Sequence, residues 1–301
     1  MYHLPVMLNE CIEGLHIHPN GIYVDVTYGG GGHSRAILDQ LDKGKLFAFD
    51  QDEDAKDNAI NDARFTLIPE NFRHLKNFLR LFGVKKIDGL LADLGVSSHQ
   101  FDTAERGFST RFDGPIDSRM NQKSTQSGAD ILNTYSLEEL TQVFRMYGEL
   151  KNAYKMSQLI VETRENEPFE TIEQLKKSLI HLAPRNRENK FFAQVFQALR
   201  IEVNEELEAL EEMLQQCTDI MNPGGRLVVM SYHSLEDRIV KNFIRSGNIK
   251  GEVHKDFYGN VLNDWEAINR KPFMAQENEI EINSRARSVR LRIAKKKNEQ
   301  G

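Results

Sequence analysis

The residues best suited to chemistry lie in a glycine turn, Asp25-Val-Thr-Tyr-Gly-Gly-Gly-Gly-His-Ser34. Glycines admit positive φ and let the backbone approach a ligand closely. A helix that opens just after such a turn offers unpaired N–H groups to a polar or anionic group. Asp50 follows Gly29 by 21 positions. A carboxylate at that place can accept hydrogen bonds from both hydroxyls of a ribose. Turn and acid together describe a site for a nucleoside-containing cofactor. Asp93 in Ala-Asp-Leu-Gly-Val-Ser-Ser-His-Gln-Phe-Asp (92–102) is a carboxylate at the end of an apolar run. Such a group has to be paired or functional.

These residues need elements to hold them. Residues 22–28, 45–50, part of 65–72, and 87–95 read as strands, the last apolar except for two aspartates. Helical spacing falls between them at 33–42, 53–63 and 72–83. Strand and helix alternating at this rhythm imply βαβ units and a parallel sheet. From about 104 to 200 the rhythm breaks, with helices predicted over 136–148, 151–166, 171–183 and 189–200. Ser136 with Glu139, and Thr171 with Gln174, stand in capping-box positions. After 200 the pattern predicts an amphipathic helix over 201–221, a turn at 222–225, a strand over 226–233 and a helix capped by Ser234 over 234–245. Residues 246–282 read as irregular, and Ser288–Ala294 as a half-exposed alternating strand. The expected organisation is one catalytic domain built from 1–103 and 201–301, interrupted by a helical domain over 104–200.

Composition narrows the classes. Of 301 residues, 40% are hydrophobic and 28% charged, which suits a folded, soluble chain. Cys11 and Cys217 are the only cysteines, which excludes a disulfide scaffold or a Cys-based zinc site. The histidines, His3 included, lack ligand spacing, so no metal is expected. The N-terminus has no basic segment followed by an apolar run, and no stretch approaches the ~20 residues of a membrane helix. A cytoplasmic protein without a membrane partner is expected. The net charge of −6 argues against a nucleic-acid partner only as an average. Residues 201–225 hold seven acids and no Lys or Arg, whereas 284–297 hold seven basic residues and no acid. In that basic run Arg285, Arg287, Arg290 and Arg292 are suited to phosphate, whereas Lys295–Lys297 suit a solvated strand face and a frayed tail.

The glycine turn selects among cofactors. Gly29 and Gly31 fit the first two positions of a dinucleotide fingerprint, but Ser34 occupies the third, and no Gly-Lys-Ser/Thr follows for a P-loop. An acid four residues before Gly-x-Gly, here Asp25, instead resembles the first motif of class I S-adenosylmethionine methyltransferases. Longer segments then carry a specific resemblance: His-Leu-Pro-Val-Met-Leu (3–8), 25–34, 47–55, 88–102, 105–120, 197–207, 224–241 and 284–294. In this order, from residue 3 to residue 294, they resemble the MraW/RsmH family of bacterial methyltransferases, which modify the exocyclic amine of one cytidine in small-subunit (16S) ribosomal RNA.

The resemblance implies a Rossmann-like, mostly parallel α/β sheet of the class I methyltransferase type with an inserted all-helical substrate-recognition domain, and S-adenosyl-L-methionine as cofactor. It implies cofactor contacts at Gly29, Gly31, Gly32, His33, Asp50, Phe72, Asp93 and Gln100. An apolar ring such as Phe72 suits a flat base. Tyr28-Gly29-Gly30 departs from the family's common Phe-Gly-Arg, and Ser118 replaces a more usual methionine. The cytosine amine is a poor nucleophile because its lone pair is delocalised, so the protein's task is positioning and electrostatics. Asp93 or a nearby carbonyl is the candidate acceptor for an amine hydrogen. Asp93-Leu94-Gly95 differs from the Asp, Asn or Ser followed by two prolines that does this work in other amino-methyltransferases. His233 is a second catalytic candidate, weighed equally against a role, shared with Arg238, in organising its strand–helix corner. RNA contact is expected of Arg106, Arg111, Arg238, Arg285 and Arg287. Arg119 lies among aspartates and suits a salt-bridged loop. A homodimer is among the assemblies left open.

Two other classes compete. A nicotinamide-dependent oxidoreductase is opposed by Ser34, and a non-enzymatic RNA-binding factor by the intact glycine turn, Asp50 and Asp93.

Overall fold

A computed structural model describes residues 5–298. His3 and Leu4, at the start of the first resembling segment, lie outside the described residues. The chain divides into two compact units, one formed by the residues up to Gly95 and from Leu207 onward, the other by Val96–Glu206.

The first unit is a seven-stranded sheet with strands β1 (Ile22–Asp25), β2 (Lys45–Phe49), β3 (Phe65–Ile68), β4 (Ile87–Asp93), β5 (Met221–Ser231), β6 (Trp265–Ala267) and β7 (Arg290–Lys296). Their order is β3-β2-β1-β4-β5-β7-β6. Strands β1 to β5 pair in parallel, and β7 runs antiparallel to both β5 and β6. Both faces are buried. Val24, Phe47, Leu90 and Val229 enter one apolar cluster, while their neighbours Tyr23, Leu46, Leu91 and Val228 enter another on the opposite face. The two-residue period explains why these strands read as continuous apolar runs. The first helices are α1 (Leu8–Leu15), α2 (Gly32–Gln40) and α3 (Leu75–Leu81).

The second unit holds α4 (Ser98–Asp102), α5 (Gly128–Thr134), α6 (Leu137–Met146), α7 (Ala153–Arg164), α8 (Ile172–Leu179) and α9 (Glu188–Asn204) around its own apolar cluster, which includes Phe144, Ile160, Leu175 and Leu199. The capping boxes at Ser136/Glu139 and Thr171/Gln174 are both formed. The chain then returns through α10 (Glu206–Ile220), α11 (Ser234–Ser246) and α12 (Glu277–Ile282).

Several elements differ from expectation. Residues 53–63 form only a short 3₁₀ turn, Glu53–Asn58, whose start is capped by the Asp52 side chain; only Ala55 of that turn is buried, so there is no apolar stripe to dock a longer helix. The expected helix over 201–221 is divided. Here α9 runs on to Asn204, whose amide donates to the Arg200 and Ser118 carbonyls, and Glu205 turns the chain with φ 48°. Helix α11 begins at Ser234 itself, with His233 as its N-cap residue. In 246–282 the structure adds β6 and α12, each too short to show a period. Strand β7 is not half-exposed: Leu291, Arg292, Ile293 and Ala294 are all buried because β5 and β6 flank it. Arg292 is tolerated there by a buried carboxylate, described below.

Candidate active site

The carboxyl ends of β1, β2 and β4 converge on the glycine turn, as open parallel sheets require of a ligand site. Two aspartates of β4 divide the labour by position. Asp88, near the strand's start, accepts from Ile22 N and Asn222 Nδ2, both at 2.8 Å, and so ties the amino ends of the strands together. Asp93 ends the strand at the opposite, ligand-facing edge.

Asp25 organises the turn. It is 1% exposed and accepts from Thr27 N at 3.1 Å and Ser34 Oγ at 2.7 Å. Ser34, the residue that breaks the dinucleotide fingerprint, therefore tethers the first turn of α2 to the end of β1. Burial raises the Asp25 carboxyl above the ordinary range, against the nearby His33 and the Ser34 bond. Gly31 caps α2 with φ 73°, and a Cβ there would stand 2.7 Å from Tyr28 Oη. A Cβ on Gly32 would stand 2.5 Å from Pro5 Cγ. The turn is thus closed on its inner side by Tyr28 and Pro5, and only glycine leaves the backbone free for a ligand.

Asp50 is half-buried, with Oδ2 accepting from Gly29 N at 2.7 Å and Oδ1 from Asp52 N at 2.9 Å. Each carboxylate oxygen keeps a further acceptor site, so the pair is aimed and still able to receive a vicinal diol. Burial pushes its carboxyl up to about 6, against those two backbone bonds. Phe72 opens the short turn after β3, half-buried against the core, and Asn71 beside it donates to Gln51 Oε1 at 3.0 Å, joining the ends of β2 and β3. A carboxylate for the ribose, an apolar ring for the base and a glycine-lined helix start fit S-adenosylmethionine.

Asp93 lies at the centre of a polar cluster that the sequence did not fully reveal. Its backbone N donates to Thr27 Oγ1 at 2.6 Å. Tyr232 Oη donates to its Oδ1 at 2.7 Å, and His33 Nδ1 lies 4.0 Å from its Oδ2. Burial raises the Asp93 carboxyl, opposed by His33 and the Tyr232 bond; burial and Asp93 raise the Tyr232 phenol well above its usual value. Tyr232 was missed because it stands in a strand-end Ser-Tyr-His where an aromatic residue reads as core. Its signal was proximity to the end of a strand adjacent to β4, which only the sheet order supplies.

The other expected residues distribute as follows. The His33 ring is buried, with Nε2 3.0 Å from Val6 O. His233 is buried at the corner between β5 and α11, its Nε2 3.2 Å from Glu236 Oε1, while the other oxygen of Glu236 accepts from Tyr232 N and His233 N. Gln100 belongs to the second unit, where it is buried and its Oε1 accepts from Ser97 N in a capping box. Arg106, in that unit, is also buried, donating to the Arg119 and Met120 carbonyls, and Arg119 pairs with Asp117. Arg111 is exposed, with its guanidinium over the Phe101 ring. Arg238 and Arg287 are exposed and Arg285 is half-buried. The basic C-terminal run is not a uniform phosphate surface: Arg292 and Arg290 both pair with Asp237, at 2.7 and 3.0 Å, and Lys296 pairs with Asp264.

The family model described as the MraW methylase family matches residues 1–297. A relative from Bacteroides thetaiotaomicron is 53% identical over 297 residues, covering 98% of both chains, and one from Christiangramia forsetii is 55% identical over 296 residues, again covering 98% of both; each carries the name ribosomal RNA small subunit methyltransferase H. Among solved structures, an rRNA methylase from Streptococcus thermophilus is 14% identical, with a TM-score of 0.42 over 97% of this chain and 94% of its own. The strand order with an antiparallel β7 is that of a class I methyltransferase, and the chain belongs to the MraW methylase family, with S-adenosylmethionine as its cofactor.

Proposed function

We propose that this protein transfers a methyl group from S-adenosylmethionine to the exocyclic 4-amino group of one cytidine in 16S ribosomal RNA of the small subunit. The observation that carries this reading is the Asp93 carboxylate, held by Tyr232 at the end of β4 beside the cofactor turn. The bound cofactor supplies an activated methyl group. The amine must give up a proton as its nitrogen gains that methyl. A carboxylate that accepts from one amine hydrogen localises the lone pair and can then take the proton. A pKa raised by burial improves Asp93 as that acceptor near neutral pH. The names of the relatives support ribosomal RNA of the small subunit as the substrate.

The target base has to leave its stack to reach Asp93. In this reading the second unit recognises the surrounding RNA, with Arg111 there and Arg238 and Arg287 on the first unit as exposed contacts. His233, buried against Glu236, shapes the corner that carries Tyr232. No helix among the described residues is long and apolar enough to cross a membrane, and a reaction on ribosomal subunits belongs in the cytoplasm.

The test is transfer of labelled methyl to small ribosomal subunits isolated from cells lacking this gene, followed by identification of the modified nucleoside. A 4-amino-methylated cytidine is expected. Label in another base, or in protein alone, would overturn the assignment.

A further inference from the structure

Many of the described cations are committed to acids or carbonyls, and one group on the second unit is not. Lys151 lies in the turn just before α7, and Tyr154 and Lys155 lie in the helix's first turn; all three are exposed. Asn152 Nδ2 donates to Leu182 O at 3.2 Å, which brings the start of α7 to the turn that carries exposed Arg185 and Arg187. The acid in that turn, Glu188, is folded back to accept from Asn186 N at 3.0 Å. Among the described residues, Lys151, Lys155, Arg185 and Arg187 take part in no ion pair.

Beside this face runs an open groove of about 450 Å³ between α6 and α7, walled by Arg145, Met146 and Tyr154. Tyr154 is 57% exposed and Met146 58%. Glu138, on the same groove, is in the first turn of α6, at the opposite end from Arg145. In a chain of net charge −6, exposed unpaired cations on the same helical unit as a solvent-facing aromatic ring suit single-stranded nucleic acid: phosphates meet the cations and a base stacks on the ring.

We propose that this face of the helical unit binds a single-stranded RNA segment, with phosphates on Lys151, Lys155, Arg185 and Arg187 and an unstacked base on Tyr154. The proposal rests on the reading of the protein as an RNA methyltransferase and adds a surface of the helical unit that grips the substrate.

The experiment measures binding of a short single-stranded RNA, and of isolated small subunits, to the whole protein over a range of salt. K151E/K155E and R185E/R187E should each weaken binding and make log affinity less steep in log salt, by about 0.7 for each phosphate no longer neutralised. Tyr154→Leu should weaken binding roughly tenfold with the salt slope unchanged. S-adenosylmethionine affinity, retained in all three, reports that the fold is intact. Unchanged RNA affinity and slope in the charge reversals would overturn the proposal, as would variants whose only defect is in self-association by sedimentation or in capture of ribosomal protein. A parent protein that binds neither RNA nor subunits would instead sink the RNA-methyltransferase reading itself, so the two failures are distinct.

Discussion

Tyr232 Oη donates a 2.7 Å hydrogen bond to Asp93 Oδ1, linking the chain just past the end of β5 to the last residue of β4. The two residues are 139 positions apart in the chain. This bond aims the carboxylate and favours its ionised form, since a phenol donates best to a charged acceptor.

Tyr232→Phe tests that role. Loss of a hydrogen bond to a charged group removes about 1.5–3 kcal/mol. Methyl transfer should slow by roughly tenfold or more while cofactor affinity stays near that of the parent. Without the bond the Asp93 carboxyl rises further, so the acid limb of the rate profile should move to higher pH. A slower variant with an unmoved limb would leave Tyr232 a merely structural part.

Asp50 should make cofactor binding pH-dependent. Its carboxyl, pushed up to about 6 in the folded protein, gains a proton as pH falls through that value and then loses acceptor capacity for the ribose. Affinity for S-adenosylmethionine by calorimetry should therefore fall below pH 6. Asp50→Asn should bind roughly 10- to 100-fold more weakly, with that pH step absent. The sign for stability is the reverse of the usual carboxylate. With the folded pKa above the unfolded one, the ligand-free protein loses stability as pH rises from about 4 to about 6.

Gly31→Ala combines two penalties. A left-handed φ of 73° costs a residue with a Cβ about 1–2 kcal/mol, and the new methyl would press on the Tyr28 ring. Denaturant titration should show a loss at or above that size, and cofactor binding should weaken with it because the turn is displaced.

Asp237→Asn should unfold the protein more readily than any change in the glycine turn. Asp237 and Arg292 are each only 9% exposed in their side chains and share two hydrogen bonds. Against the upward push of burial, Arg292 and Arg290 hold the Asp237 carboxyl below the ordinary range. Breaking such a pair leaves a buried cation uncompensated, at a cost of about 3–5 kcal/mol. The loss should appear as a lower Tm with S-adenosylmethionine either absent or saturating.

What the sequence determined by itself is local. The alternation of apolar runs with helical periods defined β1 to β4 and the helices α2 and α3, because a strand buried on both faces and an amphipathic helix each leave a period that needs no partner to be read. The glycine turn and Asp50 were legible for the same reason: their geometry is set within one βαβ unit, by φ at Gly31 and by the backbone N–H of Gly29. What tertiary structure decided are the pairings between distant segments. Arg292 reads as a phosphate ligand until Asp237 is placed beside it, since a cation's solvation or burial depends on a partner 55 positions away. Tyr232 reads as core until β5 is laid next to β4. The start of α7 and the turn at 185–187 are distant in sequence, and only the fold, through the bond between Asn152 and Leu182, 30 positions apart, brings those segments together. Sequence period reports which face of an element is apolar; only the packed sheet and bundle determine which polar groups meet.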